Sequence, residues 1–177
     1  MPTILKVVHV LALGSWVGAV LFFAFFTALP IISRMQTLAE TPGNWMNFTE
    51  KKQGTRAAGE ALDAVFARYF PFQVVCAILA LAPALWWWSQ PGWVPKARVL
   101  VIAVGLLLAL LNLGYWGPRI HAARLERYAD DPVVAARGEA TFGALHNVSL
   151  AADLLGLVLA MSALAMAVHH PLPPARP

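Results

Sequence analysis

The chain has 177 residues, of which 59% are hydrophobic and 12% charged, with a mean hydropathy of +0.64. Soluble domains carry roughly 45–50% apolar and about 25% charged residues, so composition excludes an ordinary soluble domain. The formal charge of +4 does not point to nucleic acid: Lys and Arg fall between apolar blocks, where membrane topology uses them, and no nucleic-acid fold motif accompanies them.

The first apolar block predicts a transmembrane helix over about residues 4–30, interrupted by Lys6 and His9. It is too long for the apolar region of a cleaved signal peptide, which is about 7–15 residues. Residues 33–70 are polar and mixed. Pro42-Gly43 reads as a turn, and the segment from about Thr55 to Tyr69 reads as an amphipathic helix on or leading into the membrane. The second span is expected at about 72–89, with Pro83 inside it and Trp86, Trp87 and Trp88 marking a membrane interface. A short connection, SQPGWVPK, leads to a third span at about 97–117. A polar stretch follows, opening as a continuing helix and turning at Asp130-Asp131-Pro132. The fourth span is expected at about 147–168, and the proline-rich tail, 171–177, is expected to be disordered. The fold class predicted is all-α: an integral membrane four-helix bundle with helical extensions, forming a single domain over 1–170.

Orientation follows from the cations. The two longer connections hold Arg34, Lys51, Lys52, Arg56, Arg68, Arg119, Arg124, Arg127 and Arg137; the other side holds Lys6, Lys96, Arg98 and Arg176. The positive-inside rule then puts both termini outside the cytoplasm, in an inner membrane of bacterial type. A short internal repeat is also visible. GEALDAVFARYF precedes the second span and GEATFGALHNVS the fourth, while Pro30 and Pro118 each close an odd-numbered span.

Polar side chains inside spans are costly and mark function by default. His146, Ser149 and Asp153 share one helical face at i, i+3 and i+7; Asn112, Tyr115 and Arg119 repeat that spacing on the third span. The antiparallel run of these helices matches Asn112 to Asp153 and Arg119 to His146 in depth. Gln73 falls at a similar level. Together these residues are expected to line one cavity open to the cytoplasm, with Asp153 serving either as helix glue or as a proton- or ion-handling group. Toward the other side, His9 and the pair His169 and His170 offer imidazoles that would suit copper or haem b, with no cofactor expected otherwise. Gly14 and Gly18 provide small residues four apart for helix packing. Cys76 is the single cysteine, which excludes an intrachain disulfide. No hydrolase, zincin or phosphate-loop motif occurs.

Four segments, HVLALGSWVGAVLFF, AVFARYFPF, NLGYWGPRIHAARLER and FGALHNVSLAADLLGL, in this order, resemble the transmembrane-protein-205-like family, also called domain of unknown function 4149. The resemblance implies a small four-helix membrane protein without an assigned activity. It directs attention to His9, Trp16, Gly18, Tyr69, Pro71, Pro118, Arg119, His146 and Ser149. It also implies an amide one turn after Ser149, where this chain has Asp153. The first span is similar to the opening helix of copper-resistance D-type haem proteins through the spacing of His9 and Trp16. The functions to weigh are handling of a small solute or ion through a polar seam, a copper or haem protein, and a structural subunit of a membrane complex or homo-oligomer in the lipid bilayer.

Overall fold

The computed structural model describes residues 2–169. His170 and the proline-rich tail lie outside the described residues. The described chain is all-α, and four helices are long and apolar enough to cross a membrane: α1 (Thr3–Glu40), α2 (Lys51–Trp86), α3 (Val94–Arg127) and α4 (Pro132–His169).

These helices reach beyond the spans read from hydropathy. At ~1.5 Å per residue, the 38 residues of α4 extend about 57 Å, against a hydrocarbon core of ~30 Å. The excess lies at the α1–α2 and α3–α4 connections. The polar flanks there contain good helix formers and continue the helix. The segment expected to lie on or lead into the membrane, Thr55 to Tyr69, is the leading part of α2, which runs on through Pro71 and Pro83. At its other end α2 stops at Trp86, short of the expected 89. Pro91 and Gly92 turn the chain toward α3, and the φ of +100° at Gly92 is accessible to glycine without strain.

Both odd-numbered helices carry a wider π-turn, Phe23–Ala28 in α1 and Asn112–Trp116 in α3. In each, an N–H reaches back five residues: Leu29 to the Ala24 carbonyl, and Gly117 to the Asn112 carbonyl. The next residue is proline both times, Pro30 and Pro118. Proline has no N–H and its ring crowds the carbonyl four residues back, so the wider turn makes room for it. The internal repeat visible in sequence therefore has a backbone counterpart.

The chain divides into two compact units. Residues 18–69 form a helical hairpin. Phe23 stacks on Tyr69 with ring centroids 4.4 Å apart, and Phe66 packs against both. A side chain at Gly54 would collide with the Met35 carbonyl, so glycine lets the two helices touch. Asn44 closes the connection by donating to the carbonyls of Thr41 and Phe48 and accepting the Phe48 N–H. Gln53 then accepts the backbone N–H groups of Thr49 and Glu50, which caps α2.

Among the described residues, the second unit, 2–17 and 70–169, brings parts of all four helices together. Many of its interior residues are small: Ala12, Ala77, Ala80, Ala84, Ala109, Ala152, Ala160 and Ala163 are buried, alongside the larger Leu13, Trp16 and Ile102. Large apolar side chains face outward, including Leu11, Leu100, Leu107, Leu154 and Val158. Small buried residues and exposed large apolar ones are the packing expected in lipid, where small residues allow helices to approach. Gly105 takes the Trp16 ring: a Cβ there would lie 2.7 Å from Trp16 Cη2. Gly138 brings α4 against the backbone of Glu126 and Arg127. Gly14 and Gly18, by contrast, are exposed and have open space where a side chain would project. Asp131 caps α4, accepting the Val133 N–H at 2.8 Å, with Pro132 in the first turn. The protein is a multi-pass membrane protein.

Candidate functional site

Two layers of polar side chains cross the second unit. The first is built on α2, α3 and α4. Gln73 Nε2 donates to Asp153 Oδ1 at 2.8 Å, joining α2 to α4. Ser149 Oγ donates to Asn112 Oδ1 at 2.7 Å, and Asn112 Nδ2 donates to the Ser149 carbonyl at 3.4 Å, joining α3 to α4. Gln73, Asn112 and Ser149 are buried, and Asp153 is half-buried. Asp153 sits ~7–8 Å along the helix from Val148, where the apolar stretch of α4 opens.

The residues expected to line a single cavity separate into distinct groups. Gln73, Asn112, Ser149 and Asp153 form the layer just described. Tyr115 and Arg119 are exposed and satisfy each other: the guanidinium lies 3.7 Å from the Tyr115 ring centroid and donates to the Tyr115 carbonyl at 3.1 Å. His146 is exposed as well and stacks on Phe142 with ring centroids 5.4 Å apart. The expected spacing assumed an unbroken α-helix. The π-turn starting at Asn112 adds a residue to the turn and carries the following side chains out of phase. On α4 the buried track near this end runs through Gly138, Phe142, Leu145 and Ser149, which leaves His146 on its edge.

The second layer is built around His9. Its Nδ1 donates to the Ala80 carbonyl at 2.8 Å, in the turn before Pro83, and its ring meets Trp87 edge-on at 6.1 Å. In the neutral imidazole, an Nδ1–H donated to a carbonyl leaves Nε2 as the acceptor. Nε2 is buried and finds no hydrogen-bond partner among the described residues, as does Trp16 Nε1. Arg98 is buried and donates to the Met166 carbonyl at 2.6 Å, tying α3 to α4. Sequence reasoning missed Arg98 because it counted this residue as a topology signal. A cation at the opening of the third apolar run, one residue past Ala97, was the signal available. His169 is exposed. Among the described residues no three of His, Cys, Asp and Glu gather as a metal site. His9 therefore offers one nitrogen. Pro118 serves the π-turn, and Trp16 fills the space at Gly105.

A family model described as domain of unknown function DUF4149 matches residues 11–129. The match takes in Trp16, Gly18, Gln73, Asn112, Pro118 and Arg119, and it stops before α4. No curated protein and no solved structure matches the chain. Since the matched segment spans well over half of the sequence, the chain belongs to the DUF4149 family.

Proposed function

We propose that this membrane protein handles a small ion or polar solute at Asp153, through the polar layer that joins α2, α3 and α4. The observation that carries this reading is the Gln73–Asp153 contact. A carboxyl at hydrocarbon depth is costly to keep, and the side-chain amide of Gln73 donates to this one. Helix association alone does not need it, because Ala and Gly already pack the interior and Asn112 with Ser149 already bridges α3 to α4. In this reading the long helical flanks and their nine cations face the cytoplasm, both termini lie outside, and the membrane is a bacterial inner membrane.

Flux into vesicles tests the proposal. The full chain is reconstituted into liposomes with trapped pH- and sodium-reporting dyes, and a potassium diffusion potential is imposed. Wild-type vesicles are expected to show ion entry above empty vesicles, and Asp153→Asn vesicles to show the empty-vesicle rate. Equal entry for wild type and Asp153→Asn would overturn the proposal, as would wild-type entry no faster than in empty vesicles.

A further inference from the structure

We infer that α3 has a second backbone register, in which the wide turn moves away from Asn112 and Tyr115 and Arg119 swing across the end of the polar layer nearer the α3–α4 connection, closing it. This rests on the reading of Asp153 as the handling group and adds how access to that group is governed.

One stretch of α3 is free to turn. The π-turn begins at Asn112, whose side chain is fixed to Ser149 of α4. No residue from Leu113 to Ala122 is buried, and burial resumes at Ala123. The Arg119 guanidinium lies over the Tyr115 ring and donates to the Tyr115 carbonyl, and the Tyr115 ring meets Trp116 edge-on, so these contacts stay within α3. Glycines at 114 and 117 ease a change of backbone conformation. The stretch can therefore rotate between two fixed points without exposing a buried side chain. The matching turn of α1 reads FAFFTA, has no glycine, and opens on Phe23, which stacks on Tyr69.

The geometry of the second register follows from helix spacing. A π-turn holds one residue more than an α-turn, which is about 100° of rotation for the residues after it. With the wide turn moved to the residues just before Ala123, Tyr115 and Arg119 stand three and seven positions from Asn112 on an unbroken α-helix. They then share its face and turn toward α4. The same spacing back along antiparallel α4 leads from Ser149 to His146 and Phe142, whose rings stack with centroids 5.4 Å apart. That aromatic surface suits a phenol ring and a guanidinium.

Pro118 and Gly117 set the balance. The wide turn relieves Pro118 in the observed register. In the second register Pro118 meets an α-turn, as Pro71 and Pro83 already do within α2. Pro118→Ala removes that cost. Gly117→Ala acts on the other state, because a Cβ there would lie 2.7 Å from the Asn112 carbonyl oxygen in the wide turn. Both substitutions favour the second register, by independent causes.

Disulfide trapping of the full chain in liposomes tests the register. Tyr115→Cys and His146→Cys are combined, with the buried Cys76 left in place. Under a mild oxidant this pair is expected to link slowly, and several-fold faster once Pro118→Ala or Gly117→Ala is added. Linking that neither substitution accelerates would overturn the second register. Closure is read with native side chains at 115 and 146: Pro118→Ala is expected to lower ion entry several-fold below wild type. Entry through Pro118→Ala as fast as through wild type would overturn closure. Wild-type entry no faster than in empty vesicles would defeat the reading of Asp153, and closure with it, while the linking rates still decide the register.

Discussion

Gln73 and Asp153 stand 80 positions apart in sequence and meet at 2.8 Å, a bond between the second and fourth membrane helices. It holds an acidic group within the apolar stretch of α4 against a side-chain amide of α2.

The Asn112–Ser149 pair is the structural half of that layer. Ser149→Ala should cost about 1 kcal/mol by leaving the buried Asn112 oxygen without its donor. A double-mutant cycle with Asn112→Leu, read from unfolding in detergent, should give a coupling of about 0.6–1.7 kcal/mol. A coupling near zero would mean that the two side chains do not meet.

His9 locks α1 to α2 through the Ala80 carbonyl. His9→Leu should therefore destabilise the protein by about 1–2 kcal/mol. His9→Asn carries an amide N–H where Nδ1–H stood and should recover part of the loss. Thermal unfolding of the three proteins checks this. Equal stability of the Asn and Leu variants would contradict the assigned hydrogen bond.

Trp16 fills the space left by Gly105. Gly105→Ala should cost about 1–3 kcal/mol, since the added methyl overlaps the indole. Trp16→Phe removes the overlapping ring atom, so in that background Gly105→Ala should be nearly neutral. An additive double mutant would show that the ring and the glycine are not in contact.

Much of this architecture was legible in the sequence, and for identifiable reasons. The spans follow from apolar runs of the length a bilayer requires. Matched depth on antiparallel helices set Asn112 against Asp153, whereas Asn112 meets Ser149, one turn earlier on α4, and Asp153 meets Gln73 of α2. Helix length was not legible in hydropathy, because the flanks of α2 and α4 are stabilised by hairpin contacts at Gly54 and Gly138. The positions of Tyr115 and Arg119 were hidden by the π-turn at Asn112, since a spacing rule with 3.6 residues per turn does not anticipate a wider turn ahead of Pro118. The tautomer of His9 depends on a carbonyl 71 positions away, which no local pattern encodes.

The most direct test of the account compares ion entry into vesicles holding wild type, Asp153→Asn and Asp153→Glu. The account predicts that the Asn variant falls to the rate of empty vesicles while the Glu variant, which keeps a carboxyl in the layer, retains entry. Undiminished entry through Asp153→Asn would contradict it.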